Sequence, residues 1–298
     1  MAAVAECLRE DNMLSYAEPM SRHTSWRVGG PARRYFQPEN EQQLAAFLAG
    51  LPEDEPLLWL GLGSNLLVRD GGFSGTVIAL QAGLNEVDIL PQGLRVQAGV
   101  SCAKVARLAA RAGLCGVAFL GGIPGTMGGA LAMNAGAFGG ETWDRVAAVK
   151  TIDRQGVIRW RQPEEYTVAY RQVERPRDEW FIACELHLET GDADAERERI
   201  GQLLRQRNLS QPIGQASAGS TFRNPPGDFA ARLIEQQGLK GYRIGGAQVS
   251  PKHANFIINT GAARAADIEA LIRHVQAVVQ QATGIELETE VHIVGEEA

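Results

Sequence analysis

Short apolar runs bounded by glycine, proline and polar residues dominate the first 190 residues, and such runs are typical of β-strands. The predicted strands lie at residues 32–36, 56–60, 66–68, 75–80, 94–98, 146–152, 157–160 and 180–188. Two helices are predicted among them, because a cap residue precedes apolar positions at helical spacing: one begins after Asn40, and the other runs from Ser101 to Ala112. This part of the chain is therefore rich in β-structure.

The pattern changes at about Gly191, where charged residues at helical spacing replace the short apolar runs. Helices are predicted at 193–208, 228–237 and 266–282, and the last has the most regular apolar face, with Gly284 as its stop. Strands are predicted at 255–258 and 287–294. The change predicts a domain boundary, with a first domain at residues 1–190 and a smaller α/β domain at residues 203–298.

Charge and cysteine content exclude several classes of protein. The formal net charge is −6 and no long basic run occurs, so we expect no nucleic-acid partner. No apolar run reaches the ~18 residues that a membrane span needs, and the first residues lack the pattern of a signal peptide. The four cysteines form no C-x-x-C pair and the five histidines have no metal-binding spacing. We therefore expect reduced thiols, a cytoplasmic location and no metal.

Residues 121–140 are the least usual stretch, because eight of the twenty are glycine and none is charged. A flexible linker would carry Ser and charge, whereas this stretch carries Ile, Pro, Met, Leu and Phe and should be packed. Glycines allow positive φ and close backbone approach, and bare N–H groups before a helix start near Thr126 would form an anion site. Two interpretations follow: a wall for a flat, phosphate-bearing cofactor, or a tight buried crossing of two backbones.

Earlier in the chain, a first and shorter glycine turn, Gly61–Asn65, follows the predicted strand at 56–60. The dinucleotide-binding fingerprint of Rossmann folds needs a third glycine and then a helix, whereas here Asn65 and β-type residues follow. No Gly-Lys-Ser/Thr occurs, which excludes a Walker loop. The turn is therefore either a phosphate-binding turn outside these two classes or a left-handed turn that contains an Asn.

Seven stretches, in one order along nearly the whole chain, resemble those of a known family. They are Thr24–Pro31, Gly61–Asp70, Leu120–Gly139, Tyr170-Arg171, Ala218–Pro225, Lys252–Asn259 and Leu287–Gly295. Together they resemble the UDP-N-acetylenolpyruvoylglucosamine reductases, the flavoenzymes that complete UDP-N-acetylmuramate in peptidoglycan synthesis. The chain passes directly from Arg171 to the strand at 180–188, so it is similar to the shorter, type II class, which lacks an inserted loop with a substrate-covering tyrosine.

The resemblance implies both a fold and a reaction. The fold is α+β, with an FAD-binding domain of the vanillyl-alcohol-oxidase (PCMH) type in two lobes, at about 1–82 and 83–190, and a smaller C-terminal α/β substrate domain. The reaction transfers a hydride from NADPH to FAD and then to the enolpyruvyl ether of the UDP-sugar. The implied partners are this UDP-sugar and NADPH, and we expect a cytoplasmic monomer that serves cell-wall formation.

Three residues match the catalytic positions of that family. Arg171 matches an arginine suited to bidentate carboxylate binding, Ser220 a proton-donating serine, and Glu290 a glutamate that stabilises a developing dianion as a protonated donor. Without the resemblance, Arg171 would be a surface ion-pairing residue, Ser220 a loop residue bonded to its own backbone, and Glu290 an exposed acid on an edge strand. Glu288 has the same predicted orientation as Glu290, and only the Glu-Val pair of the motif favours Glu290.

The remaining matches concern ligand binding. The first turn is expected to hold the FAD pyrophosphate and the glycine stretch to line its other side, through Gly61, Leu62, Gly63, Ser64, Asn65, Gly122, Ile123, Pro124, Gly125, Gly128, Gly129 and Asn134. The expected substrate-binding residues are Tyr170, Arg207, Asn224 and Phe138, and core packing is an equal alternative for Phe138. His292 stands where the last motif of the family commonly has Arg, so the role of that Arg is not transferred to it.

Two other functions fit parts of the sequence. The first half is compatible with a different FAD oxidoreductase of the same fold that acts on a sugar, and the glycine turns alone are compatible with a non-catalytic nucleotide-binding module. Residues 218–225 and 287–291 argue against the other oxidoreductase. Flavin colour in the purified protein would exclude the binding module, and NADPH oxidation that depends on the enolpyruvyl sugar would exclude the oxidase.

Overall fold

The computed structural model describes residues 13–298, and Cys7 lies outside them. The chain divides into two compact units. Unit 1 comprises the described residues through Glu18 together with Ala32–Gly61 and Ser74–Ile200, and unit 2 comprises Pro19–Pro31, Leu62–Phe73 and Gly201–Ala298. Unit 1 thus ends inside the predicted 191–202 boundary. The segments 19–31 and 62–73, which the sequence prediction placed in the first domain, belong to unit 2.

The α-helices lie close to the positions predicted from apolar spacing and caps. They are α1 (Glu41–Ala49), α2 (Cys102–Arg111), α3 (Met127–Ala132), α4 (Ala193–Ser210), α5 (Ala230–Gln236) and α6 (Ala265–Thr283). The side chains of Asn40 and Ser101 accept hydrogen bonds from the N–H groups of Gln43 (2.9 Å) and Lys104 (3.3 Å). Gly284 ends α6 in the left-handed region, at φ 73°. The predicted caps and stop are therefore confirmed.

The strands are more numerous and generally shorter than the sequence predicts. In chain order they are β1 (Leu14–Pro19), β2 (Pro31–Phe36), β3 (Leu57–Leu60), β4 (Leu66–Val68), β5 (Phe73–Ala79), β6 (Val87–Leu90), β7 (Gly93–Gln97), β8 (Leu114–Cys115), β9 (Gly136–Ala137), β10 (Gly140–Glu141), β11 (Val146–Asp153), β12 (Ile158–Arg161), β13 (Thr167–Ala169), β14 (Gln172–Glu174), β15 (Glu179–His187), β16 (Glu189–Thr190), β17 (Ala216–Ser217), β18 (Arg243–Ile244), β19 (Ala247–Val249), β20 (Ile257–Asn259) and β21 (His292–Val294). The hairpin predicted at 146–160 is confirmed as β11 and β12.

Unit 1 is built on two main sheets. One has the strand order β1-β2-β5-β3, in which β3 and β5 are parallel and Leu57 is opposite Thr76. The other has the order β12-β11-β15-β7-β6, and its pairs are antiparallel. A buried apolar cluster contains residues of α1 and of both sheets, among them Phe36, Leu44, Ile78 and Ile182. Burial of these side chains stabilises the arrangement of the two sheets around α1.

Unit 2 contains a four-stranded sheet of order β17-β20-β19-β18 and a parallel pair of β4 with β21. Its apolar cluster includes Trp26 and Leu67 together with Phe222, Leu271 and other residues of the C-terminal third. Trp26 Nε1 also donates to the main-chain oxygen of Ile257 at 2.7 Å. Shared burial therefore explains why segments 19–31 and 62–73 belong to unit 2, a long-range contact that a linear change in composition does not reveal.

The prediction of a strand at 287–294 is wrong for the first part of this range. Of these eight residues, only those of β21 form a regular strand, and Thr289 forms an isolated bridge with Phe222. The alternation that suggested a strand comes from Leu287 and Val291, which are both buried. A single bridge is too short to assign a strand, although it gives this segment an extended, paired backbone.

Candidate active site

A cleft lies in unit 1 beside residues of both glycine-rich segments. Three of the expected cofactor-binding residues, Gly61, Gly128 and Gly129, line it. The rings of Trp59 and Trp180 also line it, and they stack with their centroids 5.0 Å apart. Within unit 1, the fold therefore brings the end of β3 and the start of α3 to one concave surface.

Two glycines of this cleft pack closely against neighbouring side chains. A Cβ on Gly61 would lie 2.5 Å from Oγ1 of Thr126, and one on Gly128 would lie 3.0 Å from Cβ of Ala98. A side chain at Gly61 would therefore displace Thr126, and one at Gly128 would need Ala98 to shift by a few tenths of an ångström. The tight crossing considered in the sequence analysis is thus present, and it forms part of the wall of the cleft.

Two N–H groups at the start of α3 already donate hydrogen bonds within the protein. This corrects the prediction that they form an anion site. Met127 N–H donates to the carbonyl oxygen of Val100 at 2.8 Å, and Gly128 N–H donates to that of Ala98 at 2.8 Å. The acceptors come from the connection between β7 and α2. The sequence around Thr126 gives no sign of this pairing, because the partners lie about 28 positions earlier in the chain.

The rest of the first glycine turn, Leu62–Asn65, belongs to unit 2. Gly63 has a φ of +60°, and a Cβ there would overlap the main-chain oxygen of His23. The carbonyl of Gly63 accepts a hydrogen bond from Ser25 N–H at 3.0 Å. Gly63 is therefore needed both for its left-handed conformation and for the close passage of a second backbone segment.

Asn65 connects this turn to Glu290. Its Nδ2 donates to the main-chain oxygen of Glu290 at 3.0 Å, and its own carbonyl accepts from His292 N–H at 3.1 Å. The parallel pairing of β4 with β21 begins at the next residue, Leu66, opposite His292. Asn65 remains a predicted cofactor ligand, and its side chain also supports the backbone of the expected catalytic acid.

Arg171 lies in the tight turn between β13 and β14, where its φ is +55°. Its guanidinium donates to the main-chain oxygens of Gly136 at 2.7 Å and Asn134 at 3.3 Å. It also lies over the ring of Tyr170, 4.9 Å from the centroid. The sequence does not predict this hairpin, because most of its residues are exposed and give no apolar alternation. The structure thus brings Arg171 and Tyr170 onto the second glycine stretch.

Asn134 supports the hairpin that carries Arg171. The residue is 2% exposed, and its Nδ2 donates to Oε2 of Glu141 at 2.8 Å and to the carbonyl of Ala169 at 3.2 Å. Its Oδ1 accepts from Trp143 N–H at 3.1 Å. These bonds use both amide hydrogens and the acceptor, so the side chain joins three segments of unit 1. Direct contact of Asn134 with a cofactor stays a prediction.

Phe138 packs against the same glycine stretch while remaining partly accessible. It is 37% exposed, and a Cβ on Gly122 would lie 2.6 Å from its Cε2 atom. One side of the ring is packed and another is open, so a substrate contact and core packing both stay predictions for Phe138. In the adjoining Ile123–Gly125 segment, Pro124 is exposed and the carbonyl of Gly125 accepts from Cys102 N–H at 2.9 Å.

Ser220 and Glu290 are both attached to Thr221 in unit 2. Ser220 directly precedes Thr221, and the N–H of Glu290 donates to the carbonyl oxygen of Thr221 at 2.8 Å. Glu290 is partly buried, whereas the side chain of Glu288 is 75% exposed and lies 3.6 Å from the guanidinium of Arg223. The difference in burial favours Glu290 over Glu288 as the acid of the site, which spacing alone did not decide.

Asn224 and Arg207 have partners elsewhere in unit 2. Asn224 Oδ1 accepts from Ala230 N–H at 3.1 Å, at the start of α5. Arg207 lies on α4, its Nε donates to Oε1 of Gln211 at 3.0 Å, and burial lowers the pKa of its guanidinium. Both positions as UDP-sugar ligands stay predictions.

Comparison with known proteins decides the family. Residues 32–161 match the family model of the FAD binding domain, and residues 211–294 match that of the C-terminal domain of UDP-N-acetylenolpyruvoylglucosamine reductase. The reductases of Alkalilimnicola ehrlichii and Legionella pneumophila (strain Corby) are each 59% identical, over 95% of this chain and 95% and 92% of those proteins. The crystal structure of the enzyme from Thermus caldophilus gives a TM-score of 0.81 at 37% identity, over 92% of this chain and 97% of that one. The chain belongs to the UDP-N-acetylenolpyruvoylglucosamine reductase family.

Membership of this reductase family confirms the α+β fold, with an FAD-binding domain of the vanillyl-alcohol-oxidase type, and FAD as the cofactor. The cleft in unit 1 fits such a group. Its aromatic residues suit a planar ring, and the exposed Gly129 at its edge leaves backbone uncovered for close approach. Trp59 Nε1 is a buried donor without a hydrogen-bond partner in residues 13–298, and a buried donor of this kind is unfavourable until a ligand or water satisfies it.

Some residues of the site are absent from the sequence predictions for this reductase. Trp59 lies just before the matched stretch Gly61–Asp70, and Trp180 follows Tyr170-Arg171, so only their place in the cleft identifies them as site residues. Thr126 is predicted as a helix start and not as a lining residue. Over residues 13–298, no helix is both long and apolar enough to cross a membrane, and no cluster of three His, Cys, Asp or Glu side chains is placed to bind a metal.

Proposed function

We propose that Arg171, Ser220 and Glu290 perform the substrate chemistry of this chain. The chain is an oxidoreductase of peptidoglycan synthesis that reduces UDP-N-acetylenolpyruvoylglucosamine to UDP-N-acetylmuramate, with NADPH as the reductant. FAD, when bound, carries the hydride from NADPH to the methylene carbon of the enolpyruvyl group. The protein therefore has to bind and orient the substrate, stabilise charge and supply one proton.

Hydride addition to the methylene carbon places negative charge on the neighbouring α-carbon and its carboxylate. Three protein groups can lower the energy of that state: a cation beside the carboxylate, a further hydrogen-bond donor and an acid at the α-carbon. Aliphatic hydroxyls are weak acids, but a carbanion of this kind is a strong base. A correctly placed serine hydroxyl is therefore a sufficient proton donor.

Arg171 is assigned to the substrate carboxylate. Its planar guanidinium suits bidentate binding, and its bonds to the main-chain oxygens of Gly136 and Asn134 help to orient it. Its left-handed backbone and its contact with the ring of Tyr170 restrict the side chain further.

Ser220 is assigned as the proton donor and Glu290 as the additional donor to the developing dianion. The observation that carries this assignment is the shared attachment to Thr221, since Ser220 is its neighbour in sequence and Glu290 is bonded to its carbonyl at 2.8 Å. The left-handed Gly219, at φ 72°, turns the chain immediately before Ser220. In unit 2, the backbone thus presents the two side chains from adjacent positions.

The ligand-binding roles complete the proposal. Backbone at Gly61 and Gly129 and the aromatic rings of the cleft in unit 1 would hold FAD, and the family resemblance also implies Leu62–Asn65 as ligands of its pyrophosphate. Tyr170, Asn224, Arg207 and Phe138 would contact the UDP-sugar. The domains expected from the sequence, 1–190 and 203–298, stay a proposal, and the end of unit 1 at Ile200 lies between these two ranges.

We also propose a cytoplasmic monomer. The three cysteines within residues 13–298 are free thiols, which suits a reducing compartment. Size-exclusion chromatography with light scattering would give a mass near 32.1 kDa for a monomer, and twice that mass would contradict the proposal.

An anaerobic two-step experiment tests the function. NADPH should bleach the flavin absorbance of the purified holoenzyme, and UDP-N-acetylenolpyruvoylglucosamine added afterwards should restore it without oxygen. Recovery only with oxygen would support an oxidase of the same fold. Absence of any bleaching by NADPH would support a binding module without catalysis.

A further inference from the structure

The buried side chain of Asn255 holds the main chain of the loop that carries Ser220. Asn255 lies in the connection between β19 and β20 and is 3% exposed. Its Nδ2 donates to the carbonyl of Phe222 at 2.8 Å, and its Oδ1 accepts from the N–H of Phe222 at 2.9 Å. A single side-chain amide therefore pairs with both main-chain groups of one residue, as a neighbouring strand would.

The main chain of Asn255 holds the preceding residue of that loop. Its carbonyl accepts from Thr221 N–H at 2.8 Å, so Asn255 makes three hydrogen bonds to two consecutive residues. Its own N–H donates to Nδ1 of His253 at 3.3 Å, which fixes the connection from which Asn255 projects. Thr221 and Phe222 are almost fully buried, so water does not readily replace these partners.

The opposite edge of the same loop contacts the segment of Glu290. Thr221 accepts from Glu290 N–H at 2.8 Å, and Arg223 N–H donates to the carbonyl of Glu288 at 2.9 Å. Residues 221–223 thus lie between Asn255 and residues 288–290. Ser220, joined to Thr221 by the peptide bond, and Glu290, joined to it by a hydrogen bond, both depend on where Asn255 holds Thr221.

We propose that Asn255 is a positioning residue for proton transfer, because it fixes the loop that sets Ser220 and Glu290 relative to each other. The inference rests on the roles proposed above for those two residues. Removal of the amide would leave the N–H and carbonyl of Phe222 buried without partners, and the loop would shift to satisfy them. A displacement of about 1 Å at a reacting group can slow a reaction about 10²-fold.

The test variant is Asn255→Asp, which keeps the shape of the side chain and an acceptor for Phe222 N–H. It replaces the donor with a carboxylate oxygen facing the carbonyl of Phe222. In stopped-flow measurements on the holoenzyme, we expect flavin reoxidation by the UDP-sugar to slow about 10²-fold, with reduction by NADPH nearly unchanged. Hydrogen exchange of a peptide covering residues 218–225 should accelerate, while that of α6 should not.

A destabilised control separates positioning from a general loss of stability. Val275→Ala removes methyl groups from the same apolar cluster, where Val275 is 1% exposed, at a position on α6 and outside the loop. At matched loss of melting temperature, Val275→Ala should leave both half-reactions close to those of the unmodified protein. Equal slowing of reoxidation in both variants would overturn the inference.

A double variant shows whether Asn255 acts through Ser220. If it does, the slowing that Asn255→Asp adds to Ser220→Ala should be clearly smaller than the slowing it causes alone, because one of the two positioned groups is already absent. Fully multiplicative effects would overturn the inference. Slowing by Ser220→Ala but not by Asn255→Asp would reject the role of Asn255 alone, whereas normal reoxidation by Ser220→Ala would reject the proposed role of Ser220 and this inference with it.

Discussion

The Nδ2 atom of Asn65 donates a hydrogen bond to the main-chain oxygen of Glu290 at 3.0 Å, although the two residues are 225 positions apart. The pairing of β4 with β21 continues from this contact. In unit 2, the turn expected to meet the FAD pyrophosphate and the segment with the expected catalytic acid therefore share one support. A change at Asn65 should affect cofactor binding through both the lost donor and the altered turn.

Asn65→Asp should weaken FAD binding at least about tenfold, equivalent to ~1.4 kcal/mol. The substitution removes the donor to Glu290 and adds a negative charge beside an expected pyrophosphate site. Titration of the apoprotein with FAD, followed by flavin fluorescence, measures the dissociation constant. Asn85→Asp is the matched control, since Asn85 is exposed and its side chain donates to the nearby carbonyls of Gln81 and Ala82. An unchanged dissociation constant for Asn65→Asp would remove Asn65 from the cofactor site.

Arg171→Lys should not behave as a conservative change. Lysine keeps the charge but lacks the planar fork that reaches the oxygens of both Gly136 and Asn134. Loss of an aligned electrostatic donor typically costs about 10²–10³ in rate, so turnover should fall by that factor while flavin reduction by NADPH is retained. Arg177→Lys is the control, because the side chain of Arg177 is 96% exposed. Near-normal turnover of Arg171→Lys would make Arg171 a structural residue.

Local features of this fold were predictable because they are written in short patterns. The caps at Asn40 and Ser101, the stop at Gly284 and the hairpin of β11 and β12 each depend on residues within a few positions of one another. The resemblance of seven ordered stretches added the family, which no periodicity could supply. Prediction was therefore most successful where either local physics or an extended motif set the outcome.

Features that depend on distant partners were not predictable from this sequence. Trp26 and Leu67 join the core of α6 in unit 2, and the N–H of Met127 is bonded to Val100. The three hydrogen bonds between Asn255 and residues Thr221 and Phe222 are of the same kind, since an Asn in a loop usually bonds its own backbone. Each of these pairings is selected by packing of the whole unit, and neither residue of a pair carries a local signal for the other.

The two glutamates of the last motif should differ sharply on replacement. Glu290→Ala should reduce turnover about 10²–10³-fold through loss of a donor to the developing dianion. Glu288→Ala should change it less than about threefold, because an exposed ion pair contributes roughly 0–1 kcal/mol, and the side chain of Glu288 is 75% exposed. If Glu290 donates as a neutral acid, Glu290→Gln should retain more activity than Glu290→Ala. The reverse order of the two glutamates would move the role to Glu288.

Protonation of Glu55 should make unit 1 less stable in acid. Burial alone would raise the pKa of Glu55, but hydrogen bonds from Arg33, Thr76 and Arg34 outweigh it and lower the pKa to about 2. A lowered pKa means that the ionised form stabilises the folded state: its contribution is complete above the unfolded value of 4.5 and is lost as the pH falls towards 2. The shift corresponds to about 3 kcal/mol.

Urea unfolding between pH 7 and pH 2.5 measures this dependence. The free energy of unfolding of the unmodified protein should fall more steeply below pH 4.5 than that of Glu55→Gln, so that the two curves converge in acid. Glu53→Gln, at an exposed position two residues away, should follow the unmodified protein. Parallel curves for Glu55→Gln and the unmodified protein would show that the carboxylate contributes no pH-dependent stability.

Ser220→Ala should separate the two half-reactions more completely than any other change considered. Flavin reduction by NADPH involves neither the enolpyruvyl group nor a proton at its α-carbon, so it should continue at nearly the original rate. Reoxidation by the UDP-sugar requires that proton and should slow by about 10²–10⁴, the range typical of a lost general acid. Substrate affinity should change by only about 1 kcal/mol, because the variant lacks a single hydrogen-bonding hydroxyl.

Stopped-flow absorbance of the flavin measures each half-reaction of Ser220→Ala alone, and Ser217→Ala provides the control. Ser217 lies three residues earlier, in β17, and its hydroxyl donates only to the carbonyl of Gln215 at 3.5 Å. Both half-reactions of that control should match those of the unmodified protein. If Ser220→Ala slows both halves equally, the hydroxyl maintains the structure of the site and does not donate the proton. If it slows neither, another group protonates the α-carbon, and Glu290, whose N–H is bonded to the carbonyl of Thr221, is the residue to test next.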